Sequence, residues 1–347
     1  MSIILPKQHA FGLDFSDYIL RLINIEKNQI VTSGEILVPS GLIKNGMIEK
    51  PDKVAQLIKK MLQTVKGKKV KTKYVNACLP EQKTFIKVIA LPPHQKIDFE
   101  SVLAEEITKH IPYNIEEIYI DWQPVAPPEE NKILVGVAPK DIVNNYQKVI
   151  TLADLIPLVL EIEAASITRC LIKKIEKERY AQIILDIGFN RTSLIVYDNQ
   201  TVQFSISIPI SGDSITKTIA KTLDLTYQEA EKAKIICGFD EKKCDRALFR
   251  LLKPVMIGLI NKINEAISFY QNHFSGGQEI KKIVLCGGGA NFKNFDQIIT
   301  AETGLAVEKA NILINLSHEP PVSILPKNKY LSYISAIGLA LRKDLIY

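Results

Sequence analysis

Residues 180–198 read Tyr-Ala-Gln-Ile-Ile-Leu-Asp-Ile-Gly-Phe-Asn-Arg-Thr-Ser-Leu-Ile-Val-Tyr-Asp. The apolar run Ile183–Leu185 predicts a buried strand, and the β-rich run Thr192–Tyr197 predicts a second strand beside it. Asp186 and Gly188 stand between the two runs, where the chain must turn. The stretch therefore predicts a β-hairpin with a carboxylate at its mouth.

This hairpin has residues suited to a phosphate site. Gly188 has no side chain, so the backbone amides that follow it can approach an anion. Asp186 can hold a hydrated cation beside that anion. The other candidates in the turn are Asn190, Arg191 and Thr192, and Thr192 would donate its hydroxyl to a phosphate oxygen. A tight hairpin without a ligand fits the same residues, so this stretch alone leaves that alternative open.

The first part of the chain repeats the design. Phe11–Ser16 places Asp14 in the same setting as Asp186, and the β-rich run Tyr18–Ile25 follows it. Two such hairpins, one in each half of the chain, predict two related lobes that close on one ligand. Asp14 and Asp186 would then position one hydrated magnesium ion.

A third motif lies further along the chain. Lys282–Ala290 combines a predicted strand, three glycines and the start of a predicted helix. Gly287, Gly288 and Gly289 let the backbone lie close to a flat or phosphorylated ligand at a helix start. We expect these glycines at the adenosine end of a nucleotide.

The three motifs, in this order, resemble the actin fold that actin, sugar kinases and chaperone ATPases share. Within that superfamily the chain resembles the PilM family of type IV pilus assembly proteins more closely than the FtsA proteins of cell division. The resemblance extends over nearly the whole chain and includes stretches outside the nucleotide motifs. Those stretches are Ile111–Tyr113, Tyr119–Gln123, Glu161–Ser166 with Arg169, Ile208–Gly212, Ala230–Lys234 and Ile337–Arg342.

The resemblance implies an α/β protein with the duplicated, ribonuclease H-like fold of actin-like ATPases, in which a small α+β subdomain is inserted into the first of two lobes. The first lobe is expected over residues 1–80, 163–178 and 331–347. The insertion is expected over residues 81–162, where the order strand, helix, strand, strand, helix, strand matches a split βαβ unit. The second lobe is expected over residues 179–330, with residues 225–280 as its smaller helical half.

The resemblance also implies ATP or ADP as a ligand, with magnesium held by Asp14 and Asp186. Glu231 and Lys234 would border the ribose and adenine, and Gly212 lies in the turn before the preceding helix. An ordinary surface ion pair is the alternative for Glu231 and Lys234, because residues three apart are neighbours on one helix face.

The first hairpin departs from the family pattern. Relatives have Asp-x-Gly-Ser-Ser there, whereas residues 14–17 read Asp-Phe-Ser-Asp. Ser16 adds a Cβ where the backbone would approach a ligand, and Asp17 adds a charge that repels a terminal phosphate unless it points away or helps to hold the metal. We therefore predict nucleotide binding with weak or absent hydrolysis, and we assign no catalytic residue. Glu161 and Glu163 are candidates either for orienting water or for a structural role.

The composition of the 347-residue chain is typical of globular proteins, with 46% hydrophobic residues, 24% charged residues and a net charge of +6. The basic cluster Lys66–Lys73 has no interleaved aromatic residues, which argues against nucleic acid and leaves a solvated loop or contact with anionic lipid headgroups. Five cysteines without CxxC spacing predict reduced thiols and no zinc site. No apolar run reaches the ~20 residues of a membrane span, and no signal peptide is evident, so we expect a cytoplasmic protein.

The resemblance implies a scaffold that is peripheral to the inner membrane through its partners. It would grip the N-terminal cytoplasmic segment of a PilN-like membrane protein in a groove between the first lobe and the insertion, with a pilus motor ATPase as a further partner. Trp122 is expected either to pack inside the insertion or to belong to an aromatic peptide-docking surface.

Two alternatives to a scaffold stay open. An actin-like kinase or ATPase acting on a small molecule would need an aspartate base on a substrate loop, and none is apparent. An FtsA-like division protein would carry an amphipathic membrane helix after a linker, whereas here Asp344–Tyr347 follows directly on the family's terminal motif.

Overall fold

The computed structural model describes residues 9–91, 99–111, 113–125, 131–173 and 180–342. Among the predicted features, Pro112, residues 174–179 and residues 343–347 lie outside these ranges. The chain forms two compact units. The first unit comprises Met1–Lys173 and Ile312–Tyr347, and the second unit comprises Lys174–Asn311.

The described residues form both helices and strands. The strands are β1 (Phe11–Phe15), β2 (Ile19–Glu26), β3 (Gln29–Leu37), β4 (Ile43–Lys44), β5 (Met47–Ile48), β6 (Lys66–Gly67), β7 (Tyr74–Leu79), β8 (Phe85–Ala90), β9 (Ile118–Pro124), β10 (Lys132–Pro139), β11 (Ile156–Ile162), β12 (Ala181–Ile187), β13 (Thr192–Asp198), β14 (Thr201–Ile208), β15 (Ile280–Cys286) and β16 (Ala306–Lys309). The helices are α1 (Pro51–Gln63), α2 (Phe99–Thr108), α3 (Lys140–Leu152), α4 (Glu163–Leu171), α5 (Gly212–Leu223), α6 (Tyr227–Cys237), α7 (Ala247–His273), α8 (Phe295–Thr303) and α9 (Ile334–Ala340).

The first unit is built on a six-stranded sheet in the order β11-β7-β1-β2-β3-β6. Strands β1, β2 and β3 form an antiparallel meander, and β7 and β11 continue the sheet in parallel. Side chains alternate between the faces of a strand. Leu13 of β1 therefore packs in the core shared with Ile58 of α1 and Tyr146 of α3, while Gly12 lies against α9.

The inserted module is smaller than the sequence predicted. Strands β8, β10 and β9 pair antiparallel, and the apolar side chains of one sheet face, such as Val135, share a core with Ile107 of α2. The last two predicted elements, α3 and β11, belong instead to the six-stranded sheet and its core. Glu161 of β11 pairs in register with Cys78 of β7, and the Tyr146 hydroxyl of α3 donates to the Gly46 carbonyl at 2.9 Å. The prediction was wrong because a strand and helix order does not specify which sheet a strand joins.

The predicted end of the second lobe at residue 330 was also wrong. The polar segment after residue 311 lies on the first unit, where the Ser317 amide donates to the Asn28 carbonyl at 2.9 Å. The Asn315 side-chain amide donates to the carbonyl of Ile172 at 2.8 Å. These contacts fix a segment that has no strand or helix pattern to mark where it packs.

The second unit has a five-stranded arrangement in the order β16-β15-β12-β13-β14. Strands β12, β13 and β14 form an antiparallel meander, and β15 and β16 continue in parallel from β12. This order and these directions repeat those of β11, β7, β1, β2 and β3 in the first unit. The predicted α/β duplication is therefore confirmed.

The cysteines differ in part from the prediction of five reduced thiols. Cys237 and Cys244 form a disulfide with their Cα atoms 6.1 Å apart, because the chain reverses at Gly238 just after α6. An odd cysteine count and the absence of CxxC spacing do not exclude such a local pair. Cys78 and Cys170 are free and buried, and burial raises the pKa of both thiols above its usual range.

Helix α7 contains 27 residues and runs through Pro254. It buries one apolar stripe that includes Leu252, Leu259 and Ile263, while Ile257 on another face is half-exposed. In the part of the chain that the structure describes, no helix combines the length and the apolar character needed to cross a membrane.

Candidate functional site

The hairpin of the second unit forms as predicted. Asp186 pairs with Ser193 across β12 and β13, and the Gly188 amide closes the turn by donating to the Arg191 carbonyl at 2.9 Å. Asn190 and Arg191 lie partly exposed at the tip of the turn.

Thr192 has a different role from the predicted one. Its side chain is fully buried, and its hydroxyl donates to the Ile210 carbonyl at 2.7 Å, so that hydrogen is not offered to a phosphate. The same turn is held from the other side, because the Gly212 amide donates to the Gly188 carbonyl at 3.1 Å. Thr192 and Gly212 therefore fasten the hairpin to the start of α5.

The three glycines follow β15, whose last residue, Cys286, pairs in parallel with Asp186. A Cβ on Gly287, which has φ of +75°, would lie 2.3 Å from Asp186 Oδ1, and a Cβ on Gly289 would lie 2.2 Å from Ile187 Cγ2. Two of the glycines are therefore required by packing within the second unit. A Cβ on Gly288 would meet no atom of the described residues within 4 Å, so its face is open to a ligand.

The predicted helix does not follow directly on the glycines. A 3-10 turn over Gly288–Asn291 comes first, and α8 begins only at Phe295. Asn294 separates the two with a positive φ of 59°, which breaks the helical path.

Glu231 and Lys234 form an ion pair in which Lys234 is buried and Glu231 is partly exposed, which differs from the surface pair that was the alternative. Lys234 is 5% exposed, and its ammonium contacts Glu231 Oε2 at 2.6 Å, Thr216 Oγ1 at 2.6 Å and the Gly212 carbonyl at 2.9 Å. An ammonium group has three N–H donors, and three acceptors surround this one. Lys234 therefore positions α5 against α6, and its ammonium also lies 5.5 Å from the centre of the Phe292 ring just beyond the glycines.

The candidates of the first unit lie at the end of β1. Asp14 is buried, and the Arg21 guanidinium approaches it to 4.0 Å from the neighbouring strand. Arg21 was not predicted from sequence, although pairing of β1 with β2 places it directly opposite Asp14. Ser16 bonds within its own turn, and Asp17 accepts from the Asn45 amide at 2.6 Å, so its carboxylate is directed to the β4–β5 turn.

The structure thus connects most second-unit candidates into one cluster. These are Asp186, Gly188, Gly212, Glu231, Lys234, Gly287, Gly288 and Gly289. The first-unit candidates Asp14, Ser16 and Asp17 form a separate group, and the sharing of one magnesium ion by Asp14 and Asp186 stays a prediction. Among the described residues, no group of three or more His, Cys, Asp or Glu side chains is arranged to hold a metal ion on its own.

A groove of about 310 Å³ lies within the first unit, between the inserted module and β11. The sheet face of the module that is turned away from α2 forms one wall, with Leu134, Gly136 and Ala138 of β10. Tyr119 and Trp122 of β9 are also among the lining residues and are 47% and 41% exposed. Tyr119 is paired with Ala138 and so lies on the groove face of the sheet, whereas Trp122 is paired with Val135 on the opposite face. The docking role of Trp122 therefore stays a prediction.

The opposite wall comes from β11, α4 and the segment after α9. Glu161 lies there, 8% exposed, and its carboxylate accepts from Arg169 at 2.5 and 2.7 Å and from Arg342. Both oxygens of Glu161 are thus engaged with arginines, which favours the structural alternative for this residue. Glu163 accepts from the Ser335 hydroxyl at 3.2 Å, which ties α4 to α9.

Two strand edges border this groove. Strand β11 ends the six-stranded sheet, and β9 pairs with β10 alone among the described strands of the inserted module. An edge strand presents unpaired N–H and C=O groups that can pair with another chain. Strand β11 also carries a register irregularity between Pro157 and Val159, a feature common at sheet edges.

Solved structures similar to this chain have the actin-like fold. A chain of the PilM-PilN type IV pilus biogenesis complex superposes with a TM-score of 0.84 at 23% identity, covering 97% of this chain and 99% of that one. MreB5 of Spiroplasma citri bound to ADP superposes with a TM-score of 0.52 at 13% identity, covering 95% and 94%. At these identities the likeness establishes the fold alone, and the predicted actin-like ATPase fold is confirmed.

Curated relatives found by sequence are cell division proteins FtsA. The protein from Buchnera aphidicola is 28% identical over 137 residues, which is 32% of each chain. The protein from Enterococcus hirae is 26% identical over 180 residues, 46% of this chain and 39% of that protein. This chain therefore spans about a third of the length of these relatives.

The family comparison covers far more of the chain. The model for type IV pilus assembly protein PilM matches residues 12–344, which include both hairpins, the glycine motif and every wall of the groove. The extent of that match decides between the pilus and cell-division alternatives: the chain belongs to the PilM family of type IV pilus assembly proteins.

Proposed function

We propose that this chain is a cytoplasmic scaffold of the type IV pilus assembly complex, and that its groove holds the N-terminal segment of a PilN-like membrane protein. The observation that carries the proposal is the groove itself, which combines an apolar wall, the exposed aromatic residue Tyr119 and two strand edges. The similar solved structure is a PilM-PilN complex, which is consistent with a partner of that kind.

The groove suits an extended peptide. Backbone groups of the peptide can pair with a strand edge, while its alternate apolar side chains fill the space over Leu134 and Gly136. The polar end has two guanidinium groups, from Arg169 and Arg342, around the single carboxylate of Glu161. Asp121 of β9 lines the groove as well, so the lining holds two guanidinium groups and two carboxylates and can offer both donors and acceptors to a peptide backbone.

The proposed location follows from the proposed partner. A segment that is anchored in the inner membrane and bound in the groove would hold this chain peripherally on the cytoplasmic face. A pilus motor ATPase is a further partner in this proposal, and it would meet a surface other than the groove.

We further propose that the second unit binds ATP or ADP at the cluster around Gly288. The open face of Gly288 supports this proposal. The hydrogen bond from the Lys234 ammonium to the Gly212 carbonyl, which joins α6 to the start of α5, supports it as well. Asp186 and Asp14 are the residues that would hold magnesium through its water shell, and the ion would neutralise phosphate charge. No residue of this cluster is assigned as a catalytic base.

Titration with a synthetic peptide that copies the first residues of the cognate PilN-like protein tests the groove. We expect saturable binding, measured by fluorescence anisotropy, with a scrambled peptide of the same composition showing none. Absence of saturable binding by a folded protein would remove the peptide proposal.

A pair of adjacent glycines tests the nucleotide cluster. Gly288→Val is expected to lower the affinity for ADP by at least about tenfold without changing the melting temperature, because its side chain enters open space. Gly289→Ala is expected to lower the melting temperature, because its Cβ would overlap Ile187. Calorimetric titration and thermal unfolding measure the two effects, and unchanged ADP binding by Gly288→Val would contradict the assignment.

A further inference from the structure

The hairpin after β1 already uses much of its hydrogen-bonding capacity. Ser16 Oγ donates to the Ile19 carbonyl at 2.9 Å and accepts from the Ile19 amide at 3.1 Å and the Tyr18 amide at 3.4 Å. The Ser16 amide also donates to the Ile19 carbonyl, at 3.1 Å. Three amides of this turn therefore have an acceptor inside it, and an amide that is already paired offers less to a phosphate oxygen.

Asp17 is fixed away from the turn by a second set of bonds. Its two carboxylate oxygens accept from the Asn45 amide at 2.6 Å and the Gly46 amide at 2.9 Å, between β4 and β5. That turn is itself held, because the Gly46 carbonyl accepts from the Tyr146 hydroxyl and a Cβ on Gly46 would lie 2.4 Å from Pro80. The carboxylate thus has a rigid partner, and its negative charge stays beside the hairpin.

The carboxylate of Asp14 is the third polar group of this hairpin. The Arg21 guanidinium lies 4.0 Å from it, so part of the negative charge that would attract a cation is already balanced within the first unit. The hairpin therefore presents one balanced carboxylate, one fixed negative charge and a set of occupied amides.

On these grounds we propose that Ser16 and Asp17 make this chain indifferent to the terminal phosphate, so that it binds a nucleoside diphosphate as tightly as the triphosphate. The inference rests on the proposed nucleotide function and adds to it the relative affinity for the diphosphate and the triphosphate. Recognition of the nucleotide then depends on the second-unit cluster, and the turn at Ser16 and Asp17 adds no bond to a terminal phosphate. The fraction of protein that carries a nucleotide would then depend on the total nucleotide concentration and not on the ratio of triphosphate to diphosphate.

The test compares ADP with the non-hydrolysable triphosphate AMPPNP by calorimetric titration of the full chain in the presence of magnesium. We expect the two dissociation constants to agree within about threefold. A preference of about tenfold or more for AMPPNP would overturn the inference while leaving nucleotide binding intact. Failure of both nucleotides to bind, with peptide binding retained, would overturn it together with the nucleotide part of the proposed function.

Variants of the hairpin test the named residues. The double variant Ser16→Gly with Asp17→Ser frees the turn amides and removes the charge, so we expect it to prefer AMPPNP by at least about tenfold. Asp17→Asn alone keeps an oxygen for the Asn45 or Gly46 amide and should shift the preference in the same direction. Asp52→Ser, on the exposed side of α1, is the control and should leave the ratio unchanged. If both hairpin variants keep the wild-type ratio while remaining folded, Ser16 and Asp17 are not the determinants.

Discussion

Replacement of Gly136 by leucine is expected to lower the affinity for the partner peptide by about a hundredfold. Gly136 lies in the middle of β10 on the groove wall, and a Cβ there would be 3.4 Å from Ile162 Cδ1 across the groove. A leucine side chain would fill space that the peptide needs, and exclusion of one or two apolar side chains costs about 3 kcal/mol. Fluorescence anisotropy with the labelled peptide measures the loss.

Two controls make this result specific. Lys148→Leu adds the same side chain on the exposed face of α3, outside the groove, and should leave peptide affinity unchanged. Gly136→Leu itself should bind ADP as the wild type does, because Gly136 belongs to the first unit and the Gly288 cluster to the second. Peptide binding by Gly136→Leu at wild-type affinity would place the peptide site elsewhere.

Replacement of Gly338 by alanine is expected to destabilise the first unit by about 3 kcal/mol or more. Gly338 lies in α9, where a Cβ would be 1.8 Å from the backbone carbonyl oxygen of Ser166 in α4. Neither helix can yield alone, because Gly12 of β1 also approaches the backbone of α9 closely. Domains have about 5–15 kcal/mol of stability in total, so the soluble yield should fall together with the melting temperature.

Gly288→Ala is the matched control for this experiment, since the new methyl group meets no described atom within 4 Å. Thermal unfolding followed by circular dichroism compares the two variants with the wild type. A Gly338→Ala protein with the wild-type melting temperature would mean that α4 and α9 can separate without cost, contrary to the packing.

The local chemistry of the sequence was sufficient to predict the hairpins and the duplicated sheet. Asp186 and Gly188 lie between two apolar runs, and that pattern predicts an antiparallel hairpin, which β12 and β13 form. The capping box that Thr226 and Glu229 form at the start of α6 is equally local. Signals of this kind span a few residues and need no information from distant parts of the chain.

The features that could not be predicted from the sequence depend on contacts between residues that are far apart in the chain. Lys234 looks like a surface residue in a charged helix, and only the packing of α5 on α6 surrounds it with acceptors. Asp17 finds its partners at Asn45 and Gly46, beyond two strands and a turn. Likewise the membership of β11 in the first sheet is set by its pairing with β7, which no periodicity reveals.

The discontinuity of the first unit has a consequence for biosynthesis. The second unit is one uninterrupted segment, Lys174–Asn311, whereas α9, which packs on β1 and α4, is translated after it. A ribosome that emits the chain from its N-terminus therefore releases a complete second unit while the first still lacks its closing helix. Nascent chains of this protein should need protection of the exposed β1 face until α9 has been translated.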